Sequence, residues 1–239
     1  MPAILVHGVP DTHHLWSELR SHLSRDDVST PDLPGFDGKP PSFEPVKENY
    51  VDWLIAQIEM AGEPVDLVGH DWGALLSIRV VSLRPDLIRT WCVGGGSVHK
   101  DYTWHPTAQI WQTAGTGEQF MAGMVPATAL PALVGGGMPQ AYAEECVKHI
   151  DDKMKDCILK LYRSATNFMN EWDADLDNMP KGGLMIWGAD DPYMQKELAE
   201  KMAARVGARI VSLPETGHWF PAQRPKETAA LLEEHWGKG

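Results

Sequence analysis

Short apolar segments alternate with amphipathic segments along most of the chain. The apolar segments predict strands over residues 3–6, 28–30, 65–68, 88–93, 184–187 and 209–213. Apolar residues at helical spacing predict helices between them, over about 15–23, 51–58, 72–83, 198–206 and 225–236. Strands that alternate with helices are typical of a mostly parallel sheet covered on both faces. The pattern therefore predicts an α/β fold.

This alternation stops between about residues 100 and 178. The stretch shows no strand pattern, is rich in Met, Trp and Gly, and has helical periodicity over about 139–148 and 153–169. We therefore predict an α/β core formed by residues 1–100 and 178–239. A helical cap, residues 101–177, is predicted as an insertion between its two parts.

Composition narrows the class of protein. Of the 239 residues, 43% are hydrophobic and 23% are charged, which is the balance of a globular chain. The net charge of −12 argues against nucleic acid or an anionic membrane surface as a partner. Cys92, Cys146 and Cys157 are too far apart for a disulfide framework or a zinc module. Without a signal-peptide pattern or a long apolar run, we expect a cytoplasmic protein.

The most specific motif is Gly69-His70-Asp71-Trp72-Gly73, between a predicted strand and a predicted helix. A nucleophile on such a sharp turn needs small neighbours two positions away on each side. The dipole of the following helix favours an ionised carboxylate, which is the nucleophilic form of Asp71. The structural alternative is an ordinary turn in which Asp71 caps the helix.

The second motif is His7-Gly8-Val9-Pro10, directly after the first predicted strand. A loop in this position supplies one amide of an oxyanion hole, and the residue after the nucleophile supplies the other. Val9 and Trp72 are therefore the candidate donors. The structural alternative is a plain turn.

An acidic pair and a histidine follow two late strands. Asp190 and Asp191 come after the strand that ends at Trp187, and His218 comes after the strand 209–213. The chain order is thus nucleophile, acid, histidine, which is the order of α/β-hydrolases. All the motifs occur in the expected strand–loop contexts, so we interpret them as one catalytic site.

The chain resembles α/β-hydrolase-fold enzymes with an aspartate nucleophile, the branch that contains epoxide hydrolases and haloalkane dehalogenases. The stretches that carry this resemblance are HGVPDTHHLW, DLPGFDGKP, VGHDWGALLSIRV, WGADDPY and ETGHWFPAQRP. The resemblance implies Asp71 as nucleophile, His218 as base and Asp191 as the orienting acid, with Asp190 as the alternative acid. The other acid position of the family follows the strand that ends at Val93 and is occupied by glycine here.

The resemblance also implies a doubly wound sheet that lacks the first two strands of the fold. The weak strand 28–30 then becomes a sheet edge next to Pro31. This edge is left bare, covered or used in a homodimer, and the sequence does not choose among the three. No metal or organic cofactor is implied. The pair His13-His14 lacks a third ligand in the pattern and is interpreted as the surface start of a helix.

Epoxide hydrolases resemble the chain best, because they share HGxP and use cap tyrosines to protonate the epoxide oxygen. Tyr162, in Leu161-Tyr162-Arg163-Ser164, matches one of these tyrosines. The other falls at Thr107, near His105, whereas Tyr102 and Tyr142 are interpreted as structural. The site is predicted to be aromatic, with the substrate-binding residues Trp72, Trp104, Trp111 and His105.

The predicted reaction is the hydrolysis of a small apolar epoxide to a diol through an aspartyl ester, with water as co-substrate. The alternative is a haloalkane dehalogenase with the same machinery. Many dehalogenases hold the halide with an Asn where this chain has Val9, but Trp104, Trp111 or Trp172 could replace that ligand. A third hypothesis is a ligand-binding protein without turnover on the same scaffold.

Overall fold

The computed structural model describes residues 1–238 and confirms the α/β fold. Within these residues the sheet has six strands, all parallel, in the order β2-β1-β3-β4-β5-β6. The strands are β1 (Ala3–Val6), β2 (Val28–Ser29), β3 (Val65–His70), β4 (Ile88–Gly94), β5 (Leu184–Gly188) and β6 (Arg209–Leu213).

Helices cover the sheet and form the segment between β4 and β5. The helices of the α/β core are α1 (Ser17–Ser21), α2 (Lys47–Glu59), α3 (Trp72–Leu83), α10 (Lys196–Val206), α11 (Phe220–Gln223) and α12 (Pro225–Trp236). The helices of the inserted segment are α4 (Pro106–Gln112), α5 (Thr116–Gly123), α6 (Pro126–Gly135), α7 (Gln140–Cys146), α8 (Asp152–Ser164) and α9 (Phe168–Asp173). None of the described helices combines the length and apolar character needed to cross a bilayer.

The core lies around β3 and α3. Every residue of β3 is buried, and α3 is buried on nearly all sides because it packs between β3 and α2. This packing explains why the 72–83 segment is apolar almost all round. It also fixes the carboxyl end of β3, where Asp71 stands, in the middle of the sheet.

The inserted segment differs most from the sequence prediction. Helices α4, α5 and α6 are short, and α6 contains Pro131, so none of them gives a clear period. The helix predicted over 153–169 is two helices, α8 and α9. The Ser164 hydroxyl accepts from the Lys47 amide at 2.9 Å and donates to the Leu161 carbonyl at 2.7 Å. These side-chain bonds end α8 one turn early.

The edge position predicted for the weak strand is confirmed. Strand β2 pairs only through Val28 and Ser29 with β1, and it is the terminal strand of the described sheet. Pro31 follows two residues later and has no amide proton to offer a further strand. The edge is therefore too short to act as an extended template for strand addition.

Candidate active site

Asp71 stands on a strained turn between β3 and α3. Its backbone has φ 54° and ψ −120°, in the left-handed half of conformational space. The Asp71 amide donates to the Gly94 carbonyl at 3.0 Å, which ties the turn to the end of β4. A Cβ on Gly73 would lie 2.1 Å from the Val6 carbonyl oxygen, so this position has no room for a side chain. The small neighbours of Asp71 are thus a steric requirement of the turn.

Gly73→Ala is therefore expected to lower the free energy of unfolding by about 3 kcal/mol, since backbone has to move to admit the methyl group. Gly135→Ala is the matched control, because nothing lies within 4 Å of the Cβ that it would add. We expect the control to change stability by less than about 1 kcal/mol. Denaturant unfolding of both variants measures the difference. Equal stabilities would contradict the steric account of the motif.

The loop after β1 holds one oxygen of Asp71. The Val9 amide donates to Asp71 Oδ1 at 2.7 Å. Gly8 permits this approach, because a Cβ there would lie 2.1 Å from the same oxygen. The Trp72 amide is the first of α3 and has no carbonyl one turn earlier within the helix. The Val9 amide therefore contacts the Asp71 carboxylate, and the Trp72 amide, the second predicted oxyanion donor, follows Asp71 at the start of α3.

His218 lies between two carboxylates. Its Nδ1 donates to Asp191 Oδ2 at 2.8 Å, and its Nε2 is 3.5 Å from Asp71 Oδ2. The other oxygen of Asp191 accepts from the amides of Tyr193 at 2.8 Å and Met194 at 3.1 Å. Asp190 is exposed, whereas the Asp191 side chain is 2% exposed. The structure thus brings Asp71, His218 and Asp191 together and leaves Asp190 outside the cluster.

The neighbouring charges shift the pKa values of His218 and Asp71 in opposite directions. Burial would lower the pKa of His218, but the charges of Asp191 and Asp71 raise it to about 10. Burial would raise the pKa of Asp71, yet the nearby His218 holds that pKa below its ordinary value. Asp71 is therefore ionised and His218 is protonated near neutral pH. Loss of the Asp71 charge would remove one of the two carboxylates that favour the imidazolium.

A cavity of about 580 Å³ opens over Asp71 and His218. Tyr162, His105 and Trp111 line it, as the sequence predicts, together with Thr107, and Tyr193 and Trp219 are further aromatic residues in its wall. Helices α5 and α6 complete the wall with the mainly apolar residues Gln119, Phe120, Gly123, Met124, Thr128, Ala129, Ala132 and Leu133.

Trp72 and Trp104 lie behind this wall instead of lining the cavity, in contrast to the prediction. Their rings stack at 5.9 Å, and Tyr162 packs against both, at 5.3 and 5.2 Å. The Trp104 indole N–H donates to the Ala165 carbonyl at 3.2 Å. Tyr162 thus separates the two indoles from the substrate space. Sequence proximity to the nucleophile does not reveal such an intervening ring.

Asp11 was not among the site residues predicted from the sequence, yet it joins the inserted segment to the site. Asp11 Oδ1 accepts from the Tyr142 hydroxyl at 2.9 Å and from the Trp219 indole N–H at 3.2 Å. Its Oδ2 is 3.6 Å from His70 Nδ1, and His70 Nε2 donates to the His218 carbonyl at 2.9 Å. Asp11 directly follows the HGVP motif, and this position is the feature of the sequence that could have indicated a place at the site. Tyr142 therefore has a structural role, as the sequence predicts.

Comparisons with known proteins agree with this architecture. The model of the "Alpha/beta hydrolase family" matches residues 3–231. A haloalkane dehalogenase of Mycolicibacterium paratuberculosis is 25% identical over 213 residues, covering 81% of this chain and 68% of the relative. Epoxide hydrolase 4 of Mus musculus is 23% identical over 96% of this chain and 71% of its own length.

A solved structure shows the same fold. The 2-hydroxy-6-oxo-6-phenylhexa-2,4-dienoate hydrolase from Rhodococcus superposes with a TM-score of 0.80 at 18% identity. The superposition covers 99% of this chain and 90% of that one. At this low identity the similarity supports the fold alone. The chemistry has to be argued from the residues of the site.

Proposed function

The chain belongs to the α/β-hydrolase family, and on this premise we propose that it opens a small apolar epoxide to a diol through an ester on Asp71. The observation that carries this proposal is the pairing of Asp71 and Tyr162 in one cavity. An ionised carboxylate suits attack on a saturated carbon, and a buried phenol suits protonation of the oxygen that leaves. The mainly apolar wall favours an uncharged substrate.

In the first step an oxygen of Asp71 forms a bond to an epoxide carbon, and the bond from that carbon to the ring oxygen breaks. Tyr162 donates its proton to the oxygen that is released. Burial and the nearby Asp71 charge raise the pKa of Tyr162 well above its ordinary value, so the phenol is protonated before the reaction. The product of this step is a hydroxyalkyl ester of Asp71.

In the second step His218 removes a proton from water, and the hydroxide attacks the ester carbonyl carbon. Esterification has removed the Asp71 charge, which lowers the pKa of His218. The imidazolium therefore gives up its proton, the Tyr162 phenolate takes up a proton in its place, and the neutral imidazole acts as a base. Asp191 keeps Nδ1 protonated and orients the ring. The Val9 and Trp72 amides stabilise the oxyanion, and its collapse releases the diol and the Asp71 carboxylate.

Tyr162→Phe is expected to lower kcat for epoxides by about 10²-fold, because it removes the proton donor while keeping the ring. Displacement of halide from a haloalkane needs no such proton and should change little. Tyr102→Phe is the control, since its hydroxyl contacts the Tyr193 carbonyl at 3.4 Å and Tyr102 does not line the cavity. Equal loss in both variants would contradict a proton-donor role.

The proposal is tested with a panel of epoxides and haloalkanes, assayed in parallel for diol and for halide. Diol formation with little halide release is the expected result. Halide release without diol formation would contradict the epoxide proposal and favour the dehalogenase. Tight binding of a panel member without product from either class would favour a ligand-binding protein.

One observation favours the dehalogenase alternative. The indole nitrogen of Trp111 is buried and has no hydrogen-bond partner among the described residues, and its ring lines the cavity. The Trp111 ring contacts Tyr162, at 4.8 Å between ring centroids. A buried N–H group without a partner at the cavity wall is a suitable donor to a halide ion. Trp111→Phe would then lower halide release, whereas epoxide opening depends on Tyr162.

A further inference from the structure

Two histidines and a glutamate face one another where the cap meets the core. His14 belongs to the 3₁₀ turn His13–Trp16 of the core, whereas Glu145 lies in the last turn of α7 and His149 follows it by one helical turn. Glu145 Oε1 is 3.8 Å from His14 Nε2 and 3.2 Å from His149 Nε2. All three ligand atoms lie within 4.8 Å of one another.

The surroundings orient Glu145 and His14 toward each other. Lys148 Nζ donates to Glu145 Oε2 at 2.6 Å, so the other oxygen, Oε1, faces the imidazoles. His13 Nδ1 lies 2.7 Å from Asp32 Oδ2, and the His13 ring packs at 4.1 Å against that of His14. His13 is thereby turned toward Asp32 and supports His14 from the side.

We propose that His14, Glu145 and His149 bind a divalent transition metal ion such as Zn²⁺ and thereby fasten the cap to the core. Two imidazole nitrogens and one carboxylate oxygen form a ligand set that zinc accepts, whereas Mg²⁺ and Ca²⁺ prefer oxygen alone. The three atoms would have to close around the ion to about 2.0–2.2 Å, and a water molecule would complete a tetrahedron. Side chains that are 32–34% exposed have the freedom to make this adjustment.

The position of the cluster gives the ion a structural consequence. Helix α7 already contacts the loop after Val9, through Tyr142 with Asp11 and through Cys146 Sγ with the Pro10 carbonyl at 3.4 Å. An ion bound by His14 and α7 would add a third connection on the same side of the cap. None of the three ligands lines the cavity, so the proposal does not depend on the reaction.

The sequence interpretation set aside His13-His14 because no third ligand stood near it in the pattern. The structure supplies Glu145 and His149 from the inserted segment, far along the chain. Folding brings the turn that contains His13 and His14 next to Glu145 and His149. Of the two adjacent histidines, only His14 faces Glu145 and His149. A linear spacing rule cannot detect a site of this kind.

The test uses the full chain without a histidine tag, first treated with chelator and then titrated with Zn²⁺. We expect the midpoint of thermal unfolding to rise by about 5–10 °C at a free Zn²⁺ concentration near 100 times Kd. Co²⁺ should give the visible absorption of a tetrahedral site without a thiolate band. His14→Gln and His149→Gln should abolish both signals, and His13→Gln should keep them.

Three outcomes would overturn the proposal. The first is the absence of a Zn²⁺-dependent shift in the wild-type chain. The second is an equal shift in His14→Gln and in wild type, which would place the ion elsewhere. The third is a thiolate band in the Co²⁺ spectrum, which would assign binding to cysteine. The midpoints of thermal unfolding are also measured for the metal-free variants. Isothermal titration calorimetry with Zn²⁺ at 25 °C then distinguishes a folded variant that no longer binds the ion from a variant that has unfolded.

Discussion

Replacing Asp71 with alanine is expected to lower kcat by about 10⁴-fold or more, because the proposed reaction has no other group that forms the ester. His218 and the oxyanion donors cannot compensate, since they act on an ester that no longer forms. Turnover of the best substrate from the panel measures the effect. Asp190→Ala is the control, because this neighbouring carboxylate of the acidic pair is exposed and outside the cluster.

Stability measurements separate this loss from unfolding. Asp71 is 17% exposed and stands on a strained turn, so alanine removes both the cost of desolvating a charge and the attraction of that charge to His218. These two effects oppose each other, so we expect the alanine variant to stay folded and to unfold within about 5 °C of wild type. Unchanged turnover in a folded Asp71→Ala variant would contradict the covalent mechanism. A wild-type chain that binds ligand without turnover would make the binding-protein hypothesis the better one.

His218→Gln is expected to stop the reaction after its first step and to lower kcat by about 10³- to 10⁴-fold. Asp71 would still attack, because its carboxylate needs no base. The ester would then persist, because no imidazole activates water next to it. Mass spectrometry of the intact chain and of the Asp71 peptide should find one adduct per chain.

The mass of the adduct also identifies the chemistry. Opening of an epoxide adds the whole substrate to Asp71, whereas displacement from a haloalkane adds the substrate minus one molecule of hydrogen halide. The double variant Asp71→Ala, His218→Gln should carry no adduct. If the single variant also stays unmodified while wild type makes diol, water attacks the substrate directly and the ester intermediate is wrong.

The α/β core could be predicted because its signals are local. A strand, a glycine-rich turn and a buried helix lie next to one another around Asp71. The residues that satisfy the steric demands of that turn all lie between Gly69 and Gly73. Asp191 could be preferred over Asp190 only through the family resemblance, although the two occur side by side. Their burial differs because the chain turns between them, and periodicity does not record that turn.

The cap and its contacts could not be predicted to the same depth. Helices α4 to α6 are too short and too rich in Gly and Pro to give a period. The sequence places Trp72 beside Asp71, but Tyr162, from far along the chain, packs against the Trp72 ring. Glu145 and His149, which lie near His14, likewise come from far along the chain. These contacts form where the inserted helices pack against the α/β core. The sequence of one segment alone therefore does not predict them.

Asp11 has a consequence for the exchange of caps between related enzymes. This buried carboxyl group receives one hydrogen bond from Tyr142 in the inserted segment and one from Trp219, the neighbour of His218. A core transplanted without its own cap would bury Asp11 with a missing partner, at a cost of about 1–3 kcal/mol. The inserted helices are thus not exchangeable on their own. Any grafted replacement has to bring a donor to the position of the Tyr142 hydroxyl, or the loop that carries Val9 loses its support.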